Sequence, residues 1–257
     1  MSMKRIAPVP MRSNDVKTAI RATELKEMSP RAKARVAGVL YALEGTTAVF
    51  GQVYFRGKFL VPGNASATAS AILANETLFR LCCAAALLAV AFHLAYTVLF
   101  YDLFRPVNRT IALLAAVFGV VAGTLQASAV LFQLAALLVA GGGALTGFTG
   151  QQAQGLALLF LNLNAQAFNV YLIFFGFWLI PTGYLIARSA FMPRIIGVFL
   201  MLDGVGWATY LYPPLATSIY PVIAIVAAFG EIPLLLWLLV FGVHAEHWKE
   251  QASARGS

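Results

Sequence analysis

Four ionisable side chains, Glu44, His93, Asp203 and Glu231, stand inside long apolar runs of this sequence. Carboxylates and an imidazole are groups that exchange protons, bind cations and anchor polar headgroups. Each lies near the middle of its own run, so all four fall at similar depth if those runs cross a bilayer. An ionised side chain at that depth costs about 2.5–3.5 kcal/mol on insertion scales. They are therefore expected to face one another, a polar partner or a water-filled cavity, and to be candidates for a ligand site or proton pathway.

Amides form a second set. Asn162, Gln166 and Asn169 are spaced i, i+4 and i+7, which places them on one helical face. Gln126 and Gln133 are seven apart and share a face in the same way. The plain reading is hydrogen bonding between helices, worth about 0.6–2 kcal/mol each. The sharper reading is an outer vestibule lined by these five residues. Gly119-Val-Val-Ala-Gly123 is a small-xxx-small motif that lets helices approach closely, and Tyr96, Trp178 and Trp207 are candidate walls for a pocket. Glu231 precedes Pro233 by two residues, so it also has a structural reading, serving a backbone group freed by the proline. Asp102 is spaced to pair with Arg105, and Arg80 with Glu76.

Three functions compete for the ionisable group. One is a small-molecule- or lipid-binding, or accessory, membrane protein with a polar intramembrane cavity. Another is proton- or cation-linked transport of a small solute. The last is an intramembrane metal-dependent enzyme, since one histidine and three carboxylates suit a divalent ion by ligand type. No HExxH or paired-histidine spacing supports a metal, and none is assigned. P-loop, nucleophile-elbow and dinucleotide-binding glycine motifs are absent, so no cofactor is expected and the enzyme reading is the weakest. His244 and His247 lie beyond the last apolar run, which leaves His93 without a second intramembrane histidine for haem. Cys82 and Cys83 are adjacent in an apolar run and read as small core residues.

The elements that must position these groups are helices. The sequence is 60% hydrophobic and 11% charged, with a mean hydropathy of +0.80, whereas soluble domains carry about 25% charged residues. A spanning helix needs about 20 apolar residues. Six segments qualify: 34–55, 78–104, 110–139, 156–187, 195–212 and 219–243. The third and fourth are long enough to tilt or project. The expected architecture is all-α, a polytopic six-helix membrane bundle over residues 34–243. Tails of residues 1–33 and 244–257 flank it, the first reading as disordered apart from an interfacial helix over 14–28.

Placing the N-terminus inside puts fifteen of the eighteen Lys and Arg residues on the inner side and leaves Arg56, Lys58 and Arg80 outside. That bias gives both termini cytoplasmic. It also explains the net charge of +8 without a nucleic-acid partner. The lipid bilayer is the implied partner, beside a small molecule, a lipid or another membrane protein. The N-terminus has no apolar h-region and is not a secretory signal. The sequon Asn64-Ala65-Ser66 reads as chance in an alanine-rich chain of bacterial character, and the expected location is a bacterial inner membrane.

The helix openings carry a resemblance. Ser29-Pro-Arg-Ala-Lys-Ala-Arg-Val-Ala-Gly-Val-Leu-Tyr41, Arg105-Pro-Val-Asn-Arg109, Gly183-Tyr-Leu-Ile-Ala-Arg-Ser189 and Met192-Pro-Arg-Ile-Ile-Gly-Val198 resemble the bacterial domain of unknown function 4386 family. Gly230-Glu231 followed by Leu236-Trp237-Leu238-Leu239 fits its final helix. The resemblance runs from about Ser29 to Val243 and implies a small polytopic inner-membrane protein, with no biochemical role attached. The family often has a histidine near the position of Asn164, and Glu44 and Asp203 depart from its pattern.

Overall fold

The computed structural model describes residues 28–141 and 147–254. The expected interfacial helix over 14–28 lies, but for its last residue, outside the described residues. Six helices are long and apolar enough to cross a membrane: Pro30–Phe59, Glu76–Phe104, Arg109–Ala140, Gly150–Arg188, Arg194–Leu211 and Tyr220–Val240. These are the first to sixth spans below, and among the described residues there is no strand. The polytopic all-α bundle expected from hydropathy is what the chain forms.

Local chemistry explains where the spans begin. The Ser29 hydroxyl accepts from Ala32 N–H ahead of Pro30, and the Asn108 side chain accepts from Ile111 N–H at the start of the third span. Thr149 and Gln152 make a reciprocal capping box at the fourth. That span has 39 residues, about 58 Å at the helical rise, so it outruns a hydrocarbon core of about 30 Å.

Two features depart from the sequence reading. Residues 56–75 fall between the first two apolar runs, outside any expected helix, yet Ala65–Ala74 is a helix whose first turn is capped by the Asn64 side chain on Ala67 N–H. The residue of the formal sequon thus has a structural task. Ile72 of this helix packs with Phe55, Phe59 and Phe79 in a small apolar cluster. The first span also changes pitch, with a π-helical stretch at Val49–Tyr54. It holds Gly51 against the second span, where a Cβ would stand 2.6 Å from Ala86 N, and turns the Gly51 carbonyl to accept from Gln133 Nε2 at 3.0 Å.

Each span packs against the next in sequence, and the sixth returns to the first, so the spans form a closed ring. The third and fourth are the most extensively joined, and the sixth and first meet most sparsely. The fourth and fifth spans meet through facing glycines. A Cβ on Gly176 would stand 2.5 Å from Gly204 O, and one on Gly183 2.5 Å from Gly197 O, so larger side chains would force the backbones apart. Aromatic side chains fill the ring: Tyr96 and Trp178 are fully buried, with Tyr41, Phe100, Tyr171 and Phe175 around them.

The chain also folds beyond the sixth span. Ala245–Ser253 is a helix that docks on the end of the bundle. Trp248 Nε1 donates to Leu103 O at 2.8 Å, and Gln251 accepts from Ala190 N–H at 3.1 Å. At the same end Asp102 pairs with Arg105 at 3.0 Å, as its spacing implied, and also with Lys33 of the first span. Glu76 and Arg80 pair at 2.7 Å.

Candidate functional site

His93 stands at the centre of the second span and is fully buried. Its Nε2 lies 3.1 Å from the carbonyl of Gly119 in the third span, and its Nδ1 lies 2.6 Å from the Tyr96 hydroxyl. A carbonyl only accepts, so Nε2 carries the hydrogen and Nδ1 accepts from Tyr96. Gly119 permits this approach, because a Cβ there would meet Thr97 Cγ2 at 2.7 Å and Trp178 Cδ1 at 3.0 Å. The small-xxx-small motif therefore faces the second span and the histidine.

Glu44, buried in the first span, places Oε1 4.0 Å from His93 Nδ1. That is beyond hydrogen-bond reach, and Tyr96 already occupies the nitrogen. Tyr171 and Gln126 also aim polar groups at Glu44, but neither amide atom of Gln126 closes a normal hydrogen bond.

Glu231 is half-buried in the sixth span, and its Oε2 accepts from the Tyr41 hydroxyl at 2.6 Å. Its partner is thus a side chain of the first span, not a backbone group near Pro233. Asp203 is fully buried in the fifth span, where it faces Glu231 and the Trp207 indole. Both Asp203 oxygens and the Trp207 N–H lack hydrogen-bond partners. The Tyr41 and Tyr96 rings meet edge to face at 5.2 Å and join the Glu231 side of the group to the His93 side. All four ionisable residues thus belong to one interior constellation, with Glu44 and Glu231 on its outer edge.

That edge is open. A cleft of about 470 Å³ passes between the first and sixth spans, where the ring is most sparsely packed. Tyr41, Glu44 and Glu231 supply its polar floor, and Gly45, Val49, Ile232 and Leu235 are among its walls.

The amides divide differently from the five-residue vestibule that the sequence suggested. Gln126 and Gln133 are buried in the bundle. Asn162 and Gln166 are exposed on its outer surface and Asn169 is half-buried, so this stripe does not line the interior. Helical phase explains it: Leu161, Asn164, Tyr171 and Phe175 turn inward, and residues two apart lie about 200° around the helix from one another. Asn164 is the inward amide, donating to Ala129 O at 2.8 Å.

Of the candidate walls, Tyr96 and Trp178 are central, and Trp207 faces the two carboxyl groups. Tyr41, Tyr171, Gln52 and Arg56 are polar residues of the interior that the sequence reading did not single out. Tyr41 precedes Glu44 by three residues and Tyr96 follows His93 by three, so same-face spacing was the available signal. Gln52 is fully buried with both amide atoms unpaired, and Arg56 stacks its guanidinium 4.7 Å from the centre of the Phe168 ring. Among the described residues, no group of three or more His, Cys, Asp or Glu side chains is gathered closely enough to hold a metal ion.

No curated protein and no solved structure matches the chain. A family model described as a domain of unknown function, DUF4386, matches residues 36–242. That stretch holds the four ionisable side chains and both lips of the cleft, and the chain belongs to the DUF4386 family.

Proposed function

We propose that this membrane protein binds a small amphiphile through the lateral cleft between its first and sixth spans. The headgroup meets Tyr41, Glu44 and Glu231, and the tail lies along Val49, Ile232 and Leu235. One observation carries the reading: carboxyl groups form the floor of an apolar-walled cleft in the side of the bundle. Its volume falls in the about 300–1,000 Å³ range of small-molecule sites. Because the cleft opens between two spans, a ligand dissolved in the bilayer can enter without crossing water. Proton- or cation-linked transport would use the same carboxyl groups. The packed aromatics Tyr96, Phe100 and Trp178 fill the bundle on the Phe104 side of His93, which favours a binding pocket over an open path. The membrane we infer is a bacterial inner one, and the lysine and arginine distribution supports both termini on its cytoplasmic side.

Gly45 offers a direct test. A Cβ at this cleft residue meets nothing within 4 Å, so a side chain there starts in open space and Gly45→Phe is expected to fill the opening. The full chain in phosphatidylcholine nanodiscs is expected to retain radiolabelled dodecyl amphiphiles (amine, alcohol or carboxylate) saturably over empty discs. Gly45→Phe is expected to weaken that binding at least about tenfold, roughly 1.4 kcal/mol. No saturable retention of any of the three, or full retention by Gly45→Phe, rejects the pocket.

A further inference from the structure

We propose that the ligand of this cleft carries a protonated amine, and that the site is built to take an alkylammonium headgroup; this rests on the cleft being a binding site. Glu44 and Asp203 each face Glu231, and among the described residues no lysine or arginine pairs with any of the three carboxyl groups. The ion pairs among the described residues that involve lysine or arginine engage Asp102 and Glu76 at the ends of the spans. His93 approaches Glu44 at 4.0 Å, beyond hydrogen-bond reach, and both its ring nitrogens are engaged elsewhere. Its Nε2–H is given to the Gly119 carbonyl and its Nδ1 lone pair to Tyr96.

Asp203 supplies an independent observation. It is completely buried, and Glu231 and Trp207 aim polar groups at it, yet neither of its oxygens closes a hydrogen bond of normal geometry. Buried polar atoms in folded proteins are paired as a rule, because an unpaired one is costly to bury. A donor-rich cation delivered through the cleft would bind Glu231 and neutralise the field on Asp203 behind it.

An ammonium group has three donors and no acceptor, which suits a floor of carboxylates. Tyr41 adds an aromatic ring beside the same floor, a surface that attracts cations. A bare inorganic cation would leave the apolar walls without a role, and among the described residues no metal-ligand group is gathered here. An anionic amphiphile would meet Glu44 and Glu231 at the opening and be repelled. An amine attached to an apolar chain uses both floor and walls.

The test compares dodecylamine, dodecanol and dodecanoate on the full-length protein in phosphatidylcholine nanodiscs, so that surface charge does not concentrate the amine. The expected order is amine first, at least about tenfold tighter than alcohol, with carboxylate weakest. Glu44→Gln and Glu231→Gln are expected to bring the ratio of amine to alcohol affinity down to about one. Equal affinity for amine and alcohol in the parent protein overturns amine selection and leaves the pocket standing. An amine preference that survives in the folded Glu44→Gln/Glu231→Gln double variant also overturns it. No saturable binding by any of the three removes the pocket itself. If the glutamine variants fail to fold, the ratio of amine to alcohol affinity in the parent protein decides.

Discussion

At the scale of single residues, His93 ties two spans together through one ring, donating to Gly119 and accepting from Tyr96. His93→Leu would strand the Tyr96 hydroxyl in an apolar interior and remove a second hydrogen bond from the Gly119 carbonyl, which keeps its own helical bond. At about 1–3 kcal/mol for the unpaired hydroxyl, the variant should unfold at clearly lower SDS fraction in a mixed-micelle titration. Unfolding at the parental midpoint would show that the ring has no structural task. Tyr41→Phe removes the donor to Glu231 and should cost about 1 kcal/mol by the same measurement. Its larger effect is expected on amphiphile binding, because it changes the cleft floor. The four ionisable residues were legible in the sequence because a charge within an apolar run is itself a signal. Their tyrosine partners were not, since a tyrosine three residues away is equally an ordinary core residue. Asn162 and Gln166 misled for a related reason. Periodicity shows that residues share a face without showing which way that face points.

At the scale of elements, the glycine contacts between the fourth and fifth spans position the acidic group. Gly204 adjoins Asp203 and lies against Gly176, where a Cβ at Gly204 would stand 2.6 Å from a carbonyl oxygen. Gly204→Leu should push the fifth span outward, with an overpacking cost of about 1–3 kcal/mol or more. The expected result is a lowered Tm in detergent and loss of amphiphile binding, whereas Gly45→Phe loses binding at an unchanged Tm. Equal melting behaviour for the two variants would contradict the contact. The Gly119–Gly123 motif was readable from its spacing within one segment. The pairing of Gly176 with Gly204 was not, because it depends on the relative register of two helices. The π-helical stretch at Val49–Tyr54 was hidden for the same reason, since the contact it accompanies, Gly51 against Ala86, is made with another span.

At the scale of the whole molecule, hydropathy was enough to find six spans, and each proved as long as or longer than its apolar run except at the two ends of the sixth and the close of the fifth. Charge distribution leads to a prediction about sides. Ser70 and Ser253 are exposed, while Cys82 and Cys83 are buried. With both termini cytoplasmic, Ser70→Cys should react with a membrane-impermeant maleimide added outside intact cells, and Ser253→Cys only after lysis. The opposite pattern would invert the proposed orientation. What hydropathy could not supply was the order of spans around the ring, because lipid-facing and buried leucines look alike in sequence.

Closure of that ring has a consequence for how the protein is made. The joint between the first and sixth spans unites the first and last of the six, so it forms only after all six have been made. Until Glu231 leaves the ribosome, Glu44 waits beside an unclosed gap, and Asp203 lacks the carboxyl neighbour that it faces in the finished bundle. An incomplete chain therefore displays intramembrane carboxyl groups that the finished one shelters.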